Sequence, residues 1–489
     1  MELTFSEHLT HRAQLHPGRA AIIVPGRTHT YAELESDSTR TARWLVADGV
    51  QPGDRVAIHC HNSYEAIRLF HAVFKAGAVA VPVNTRMKAP EIAYVLDHSG
   101  ATRYFCAPAL APLARDAAAL SALAPEVVDV VPASGVEVAL PDGSPETLVA
   151  ILYTSGTTAK PKGVCFTLTT ALAFCRWAET DMIGGENAVG LCTTSLMHVA
   201  GMFITLACIY SGATAVILHA FDPAVALDAL ERYRCTFLFS LPVFLHVLVE
   251  EQARQPRDAS SLRSSLAGGD SIPLALQAAF QQHFGLPLQE GYGMTEAGIL
   301  AINPLDGRHG SMGLPTTGTE LRIADADGRE LPSGETGEIV VRTPVCTPGY
   351  WNDPDATHAL YNPDGWLRTG DLGCLDADGY LWFRGRVKQI IVKGGSNISP
   401  QEVESALTSH PAVRQAGVVG SPDPVYGEKI VAFVSLRTGV ATAEAELREF
   451  ARKQIADYKT PDRIVFLDEL PMGLTGKIDR RALKERLAA

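Results

Sequence analysis

A loop rich in hydroxyl groups follows the apolar run Leu148–Leu152. From Tyr153 to Gly163 it carries four Ser or Thr side chains, two glycines and two lysines. Hydroxyls, exposed backbone N–H groups and ammonium groups together suit a polyphosphate. The spacing differs from GxxxxGK(S/T), so this is not the phosphate loop of P-loop ATPases and kinases. Taken alone, the stretch also fits a flexible surface loop.

Two later segments combine glycines with one carboxylate. In Gly291–Glu296 the ring of Tyr292 stands between two glycines and could lie flat against a planar ligand, while Glu296 could bind Mg²⁺. In Thr369–Leu372, Asp371 could accept two hydrogen bonds from a ribose diol. Each segment on its own is more typical of an ordinary turn.

Two basic segments lie towards the end of the sequence. Gly385–Pro400 holds an arginine, two lysines and a Gly-Gly pair, and on its own indicates a basic linker with a turn. Leu474–Arg480 is a turn that presents Lys477. A single lysine in such a position is more often a solvated charge than a ligand-binding group.

In their order along the chain, these five segments resemble the core motifs of the adenylate-forming superfamily. That superfamily comprises acyl-CoA synthetases, stand-alone and synthetase-embedded adenylation domains, and beetle-type luciferases. The resemblance covers essentially the whole chain and is densest from Tyr153 to Arg480. Because five ordered motifs seldom match by accident, the chain is identified as a member of this superfamily.

The resemblance implies an α/β fold with two domains. A large N-terminal domain, residues 1–385, would contain helix-covered mixed sheets and a β-barrel-like subdomain, and would bind ATP and the acyl substrate. A small, mobile α+β C-terminal domain, residues 386–489, would follow, with a hinge near Lys388. The sequence itself suggests a boundary near Arg386, because the residues after it have their own α+β pattern.

The resemblance also implies a role for the hydroxyl-rich loop. Its side chains would donate to the β- and γ-phosphates of ATP. Ala159 stands where the family usually has glycine, and its β-carbon disfavours positive φ, which stiffens the loop but spares the donors. The implied phosphate-binding residues are Thr154, Ser155, Gly156, Thr157, Thr158 and Lys162.

Two glycine-containing segments would form the adenine site. Tyr292, between Gly291 and Gly293, would stack on the adenine ring. Gly268 and Gly269 resemble the family's adenine-side turn, although an aspartate follows them in place of the usual small residue. The same segment resembles a phosphopantetheine attachment site, with the serine two residues later as acceptor. A carrier is a separate small helical module, so we disfavour that interpretation.

The resemblance gives five side chains a role around the chemical step. Thr295 would contact the α-phosphate, Glu296 would bind Mg²⁺, and Asp371 would hold the ribose hydroxyls with help from Arg386. Lys477 resembles the lysine that bridges the substrate carboxylate and the α-phosphate. Its fixed positive charge would offset the negative charge that builds up when a carboxylate attacks a phosphate, and Mg²⁺ would do the same for departing pyrophosphate.

The resemblance also implies that residues around the hinge serve a second half-reaction, with the thiol, at the same site. Lys388 falls at the hinge position, and Gly394 and Gly395 resemble the turn that lines the pantetheine tunnel after rotation. Lys393 precedes that turn and would help the thiol half-reaction. We therefore expect one site with two lids, in which Lys477 closes the site for adenylation and then leaves so that a thiol can enter.

The acyl pocket should involve Met197–Met202, which resembles an aromatic-His-x-x-Gly segment with methionine in place of the aromatic residue. His198 would shield the carboxylate or pack on an aryl ring; the alternative is a core histidine bonded to backbone. Gly291 stands where malonate-type ligases have arginine, so a dicarboxylic acid is disfavoured. Leu241–Val243 and Gly298–Leu300 would complete the wall.

Alternating strands and helices are expected to position these motifs. Helical spacing in Leu34–Asp48 and Tyr64–Ala76, with apolar strands at Arg55–His59 and Ala78–Pro82, predicts a mostly parallel sheet covered by helices. Residues 321–343 alternate polar and apolar side chains and contain two turn signals, which predicts antiparallel strands.

The C-terminal part has predicted elements of its own. Ser399 and Pro400 begin a helix, with proline in its first turn. Strands are expected at Ala416–Val419 and Ile430–Leu436, and a helix at Glu444–Ile455. Another strand and a last short helix should close this part of the chain.

Composition narrows the class of partners. A chain of 489 residues exceeds what one hydrophobic core normally serves. Lys plus Arg is 42 and Asp plus Glu is 54, and the net charge of −12 argues against nucleic acid or an anionic membrane surface. The apolar stretch 199–218 has the length of a membrane span, but Ser211-Gly212 divides it into a helix and a strand.

We expect a cytoplasmic location. The 9 cysteines include no CxxC pair, so neither a zinc knuckle nor a redox pair is indicated. The N-terminus carries charge early and lacks an apolar signal region, and the C-terminus is not the peroxisomal tripeptide. Scattered cysteines of this kind are typical of small buried residues that the cytosol keeps reduced.

The leading hypothesis is a CoA ligase that uses ATP, Mg²⁺ and CoA. Gln289–Gly298 looks closest to 4-coumarate- and medium-chain-type ligases, which favours an aryl, arylpropenoic or medium-chain monocarboxylate. One alternative is a stand-alone adenylation enzyme that loads a carrier-protein thiol, and another is a nucleotide-binding regulator. The presence of Glu296, Asp371 and Lys477 disfavours the regulator. Oligomeric state, including a homodimer, stays open.

Overall fold

The computed structural model of the chain describes residues 3–129, 136–141, 144, 146–154, 160–269, 272–386, 389–393, 396–473 and 477–488. The described residues form four β-sheets with helices packed against them. The predicted α/β fold, with a large N-terminal part and a small C-terminal one, is confirmed.

Helices and strands alternate through the first two thirds of the chain. The helices are α1 Phe5–Leu15, α2 Tyr31–Ala47, α3 Tyr64–Lys75, α4 Ala89–Ser99, α5 Ala111–Leu120, α6 Leu168–Ala178, α7 Val199–Ser211, α8 Pro223–Arg232, α9 Pro242–Arg254, α10 Leu274–Phe284, α11 Pro354–Leu360, α12 Pro400–Thr408, α13 Glu444–Arg452 and α14 Arg480–Ala488. The strands are β1 Ala20–Val24, β2 Arg27–Thr30, β3 Arg55–His59, β4 Val79–Pro82, β5 Ala101–Cys106, β6 Glu126–Val128, β7 Leu148–Thr154, β8 Lys162–Thr167, β9 Val189–Cys192, β10 Thr214–Ile217, β11 Phe237–Ser240, β12 Ser264–Gly268, β13 Gln289–Met294, β14 Gly298–Ile302, β15 Leu314–Pro315, β16 Glu320–Ala324, β17 Gly337–Arg342, β18 Leu367–Leu375, β19 Leu381–Arg386, β20 Ile391–Lys393, β21 Ser396–Ile398, β22 Val413–Asp423, β23 Gly427–Leu436 and β24 Arg463–Phe466.

Two mixed sheets form the N-terminal part. The first has the order β15-β14-β13-β12-β11-β9-β10-β1-β2, and its strands from β13 to β1 are parallel. The second has the order β6-β5-β3-β4-β7-β8 and is parallel except at β8. One hydrophobic core joins them, to which α2, α3, α6 and α7 contribute Leu45, Phe70, Phe174 and Phe203. This packing brings the carboxyl ends of several parallel strands into one region.

Two further sheets follow in the chain. The antiparallel sheet β16-β17-β18-β19 corresponds to the expected β-barrel-like subdomain. The C-terminal sheet has the order β21-β20-β23-β22, with β24 beside β23. The chain passes from one sheet to the other between Arg386 and Ile391, near the predicted boundary. The division at residue 385 and the hinge near Lys388 stay predictions.

The segment 199–218 folds as its sequence indicates. Helix α7 ends at Ser211, Gly212 adopts a left-handed conformation at φ 78°, and β10 begins two residues later. In the described part of the chain, no helix has both the length and the apolar character needed to cross a membrane.

Two predicted turns are strands instead. The motif around Tyr292 lies within β13, which runs from Gln289 to Met294, and the motif around Asp371 lies within β18. Both segments contain glycines, which usually weaken strands. Pairing on both sides overrides that preference, because β13 is bonded to β12 and β14, and β18 to β17 and β19.

The C-terminal hairpin is longer than predicted. Strands β22 and β23 reach Asp423 and Gly427, although the apolar runs that predicted them are shorter. Polar contacts extend the hairpin beyond its apolar part, since Lys429 pairs with Asp423 at 2.5 Å. Helix α12 begins after Ser399 with proline in its first turn, as predicted.

Candidate functional site

A buried carboxylate joins the first mixed sheet to the antiparallel sheet. The hydroxyl of Tyr292 on β13 donates to Oδ2 of Asp371 on β18 at 2.8 Å. Arg386, paired opposite Asp371 on β19, lies 3.2 Å from its Oδ1. Burial raises the pKa of Asp371, and the positive charge of Arg386 opposes that rise. Three predicted site residues therefore form one cluster, held by a hydrogen bond and an ion pair.

A second cluster lies at the base of the hydroxyl-rich loop. The hydroxyl of Tyr350 donates to Oε1 of Glu296 at 2.8 Å, and the Nζ of Lys162 lies 4.8 Å from the centre of the Tyr350 ring. Thr154 and Lys162 are opposite each other on the antiparallel strands β7 and β8. Burial raises the pKa of Tyr350, as does the charge of Glu296. This tyrosine stays a neutral donor.

The predicted adenine-side glycines lie next to the first cluster. Gly268 at the end of β12 pairs with Gly291 on β13. Among the described residues, a β-carbon on Gly268 would meet only the carbonyl oxygen of Gly291, at 3.3 Å, so space remains above this strand. Gly269 has φ 91°, which favours glycine. A β-carbon on Gly293 would collide with the carbonyl oxygen of Gly298, which accounts for glycine at that position.

The side chain of Glu290 bonds to residues that follow the adenine-side glycines. Its buried carboxylate accepts from the backbone N–H of Ile272 at 3.2 Å and from Nε2 of Gln277 at 3.1 Å. Burial raises the pKa of Glu290 to about 7, whereas the two hydrogen bonds lower it. The residue before Gly291 is thus a fixed polar anchor beneath the adenine-side turn.

His198 lies just before α7 with its ring half-buried. Its Nε2 lies 3.2 Å from Nδ2 of Asn84, so its partner there is a side chain rather than the backbone. Burial lowers the pKa of His198, and the charges of Lys477 and Arg86 lower it further. The imidazole is therefore held neutral.

Lys477 approaches the same region from the C-terminal part. Its side chain is exposed, and its charge acts on both His198 and Asp371. The C-terminal part also contacts α9, because Nη1 of Arg437 lies 3.5 Å from Oε1 of Glu250 and 3.5 Å from Nε2 of His246. In this arrangement the charge of Lys477 lowers the pKa of His198, expected at the acyl pocket, and of Asp371, expected at the ribose.

Some predicted site residues are not in this region. Lys393 pairs with both carboxylate oxygens of Asp462, at 2.7 and 2.8 Å, within the C-terminal part. Thr295, in contrast, lies in the turn between β13 and β14, directly before Glu296 of the second cluster. The following predicted residues lie outside the described part of the chain: Ser155, Gly156, Thr157, Thr158, Lys388, Gly394 and Gly395. Among the described residues, no group of three His, Cys, Asp or Glu side chains could hold a metal ion by itself.

Sequence reasoning missed Tyr350 and Asn84. Asn84 lies two residues after β4, and ligand-binding residues often follow the carboxyl ends of parallel strands, so its position was a usable signal. Tyr350 offered a weaker signal, a tyrosine after Pro348-Gly349 with tryptophan next to it. Only the fold brings it beside Glu296.

Comparison with known proteins gives a consistent result along the chain. The family model described as AMP-binding enzyme matches residues 9–351, and the model of the AMP-binding enzyme C-terminal domain matches residues 402–477. A feruloyl-CoA synthase from Amycolatopsis sp is 36% identical over 491 residues, covering 97% of each chain. A fatty acid–[acyl-carrier-protein] ligase from Streptomyces coeruleorubidus is 34% identical, covering 99% of this chain and 96% of its own.

A solved structure gives the same relationship in three dimensions. The o-succinylbenzoate–CoA synthetase from Bacillus subtilis, in complex with its acyl-adenylate intermediate, superposes with a TM-score of 0.90 at 32% identity, covering 98% of this chain and 97% of that one. ATP and CoA are the co-substrates that fit this family. The chain belongs to the AMP-binding enzyme family, as an acyl-CoA synthetase of the adenylate-forming superfamily.

Proposed function

We propose that this enzyme ligates an aryl, arylpropenoic or medium-chain monocarboxylic acid to CoA in two steps. A carboxylate oxygen attacks the α-phosphorus of ATP, forming acyl-AMP and releasing pyrophosphate. The thiol sulfur of CoA then attacks the acyl carbon, the thiol proton is lost, and AMP leaves. The observation that carries the proposal is the Tyr292–Asp371–Arg386 cluster beside the adenine-side glycines, with the charge of Lys477 close enough to lower the pKa of both His198 and Asp371.

In the proposed site, Asp371 accepts the ribose hydroxyls and Tyr292 supports the adenine ring. The carboxylate of Asp371 is already oriented by Tyr292 and Arg386, so little ordering is needed when ribose binds. Thr295 would contact the α-phosphate, and Lys477 would offset charge at the pentacoordinate phosphorus. Gly291, which brings no side chain to the acyl pocket, would accommodate a flat or extended acyl group.

The pyrophosphate end is assigned to the hydroxyl-rich loop and Glu296. Thr154 and Lys162 flank the loop whose residues 155–158 would donate to the β- and γ-phosphates. Glu296 would hold Mg²⁺, which suits a single carboxylate combined with substrate phosphates. The bound ion would neutralise charge on departing pyrophosphate, and Tyr350 would keep the Glu296 carboxylate in one orientation.

Rotation of the C-terminal part would separate the two steps. We propose that residues 386–489 turn about a hinge near Lys388, withdrawing Lys477 and bringing Gly394 and Gly395 to the pantetheine path. Lys393 would move with them. The unpaired cysteines, mostly buried, suit a cytoplasmic enzyme.

Loading of a carrier-protein thiol is the second candidate. The relative from Streptomyces coeruleorubidus acts, by its name, on an acyl-carrier protein. The first step would be identical, and only the acceptor thiol would differ.

A panel of acids tests the proposed reaction. We expect pyrophosphate release with ferulate, benzoate or hexanoate but little with malonate, because no cation at Gly291 pairs with a second carboxylate. With CoA present, mass spectrometry should find the matching thioester. Transfer only to a carrier protein would favour the second candidate, and pyrophosphate release with none of the acids would refute the ligase assignment.

Lys477→Ala should separate the two steps. Acid-dependent pyrophosphate release should fall by about 100-fold or more, because a fixed charge at the transition state is lost. Thioester formation from supplied acyl-AMP and CoA should stay near the unsubstituted rate. Lys484→Ala removes an exposed lysine of the nearby α14 and serves as the control. Equal loss in both steps would contradict the two-arrangement proposal.

Tyr350→Phe should affect the metal-dependent step. The variant keeps the ring beside Lys162 but loses the hydrogen bond to Glu296, so kcat/KM for ATP should fall about tenfold. The Mg²⁺ concentration giving half-maximal rate should rise. Tyr361→Phe, which removes a hydroxyl bonded to the backbone of Thr347, is the matched control. An unchanged Mg²⁺ dependence would argue against a role at Glu296.

Arg437→Ala should weaken the arrangement that favours adenylation. Because the contact with Glu250 is partly exposed, we expect a loss of about two- to fivefold in pyrophosphate release and none in thioester formation from acyl-AMP. Adding Glu250→Ala should cause little further loss, since both changes break one contact. Arg452→Ala should change neither step, because among the described residues Arg452 pairs with Glu449 and Asp457 of the C-terminal part.

A further inference from the structure

Asn84 has a side-chain orientation fixed by its own backbone neighbour. It lies two residues after β4, and only 9% of it is exposed. Its Oδ1 accepts the backbone N–H of Arg86 at 2.9 Å. Since the oxygen is used there, the amide nitrogen is the atom that faces Nε2 of His198, at 3.2 Å.

This geometry determines which ring nitrogen of His198 carries a proton. An amide nitrogen only donates, so Nε2 must accept, and the single proton of a neutral ring must be on Nδ1. Burial and the charges of Lys477 and Arg86 disfavour the imidazolium form, and no carboxylate of the described residues counteracts them. The N-terminus of α7, which follows His198, disfavours a cation as well.

The remaining ring nitrogen is available to a ligand. Nδ1 makes no hydrogen bond to any of the described residues, and the residue keeps part of its surface exposed. The charge of Lys477 acts on the His198 ring. A substrate carboxylate would therefore come closest to both Lys477 and His198 in the region beside this ring. A neutral N–H donor can orient that carboxylate without pairing with its charge, which leaves the oxygen nucleophilic.

We propose that Asn84 is a positioning residue that fixes His198 as the neutral Nδ1–H tautomer, so that the ring offers one directed donor to the substrate carboxylate. That the ligand is the substrate carboxylate follows from the proposed function, on which this inference therefore rests. The competing explanation is purely structural, in which Asn84 only holds the turn at Arg86.

Asn84→Asp separates these explanations. Aspartate retains an oxygen for the Arg86 N–H but replaces the donor that faces Nε2 with an acceptor. The ring should then be protonated at Nε2 and acquire a higher pKa. Pyrophosphate release should fall about tenfold, and its pH profile should gain an ionisation between about pH 6 and 8. Asn84→Ala should lose rate without that new ionisation.

A structural role predicts a different pattern. In that case Asn84→Asp, which keeps the turn, should match the unsubstituted enzyme in rate and pH profile, and only Asn84→Ala should be impaired. That result would overturn the proposal. In a His198→Gln background, Asn84→Asp should add no new ionisation, and its appearance there would also count against the proposal. Thermal unfolding of each variant identifies losses that come from misfolding.

Nitrogen NMR on ¹⁵N-histidine-labelled full-length protein gives a readout that needs no substrate. The His198 signals are those lost in His198→Gln. In the unsubstituted protein Nδ1 should carry a proton and Nε2 should not. In Asn84→Asp the proton should be on Nε2 instead, or on both nitrogens. The opposite tautomer, or an imidazolium, in the unsubstituted protein would refute the inference. Because no turnover is required, this outcome is independent of whether the proposed ligase reaction is found.

Discussion

The buried carboxylate of Asp371 is the interaction on which the arrangement of the site depends. It lies where β13 of the first mixed sheet meets the antiparallel sheet, and its two oxygens bind Tyr292 and Arg386. A buried carboxylate without partners would be costly, so the donor from one sheet and the cation from the other stabilise the junction between them. The contacts that satisfy this carboxylate also align the strands that carry the proposed nucleotide site.

A second constraint comes from the carboxyl ends of parallel strands. Asn84 follows β4 of the second mixed sheet and His198 follows β9 of the first, and one hydrophobic core joins the two sheets. Side chains just beyond those ends therefore meet although they are far apart in sequence, as Asn84 and His198 do. Positively charged side chains lie around this region. A chain with a net charge of −12 can therefore still suit an anionic nucleotide.

Sequence patterns predicted the elements whose apolar spacing is strong, and the motifs predicted the family. Strand Arg55–His59 agrees at both ends, and helix α7 with β10 confirms the division at Gly212. The motifs at Tyr292 and Asp371 were expected in turns because glycine weakens strands, whereas pairing with neighbouring strands decides the outcome. Tyr350 and Asn84 depend on contacts across 54 and 114 positions, which no local pattern encodes.

The partly exposed contact between Arg437 and Glu250 has a consequence for turnover. Exposed ion pairs contribute at most about 1 kcal/mol, so this one biases the C-terminal part towards its present arrangement by a factor of only a few. An enzyme that alternates between two arrangements in every cycle spends least time waiting when neither is strongly preferred. Under the proposed rotation, a weak, solvated contact would keep the two populations comparable, so that each half-reaction finds the arrangement it needs.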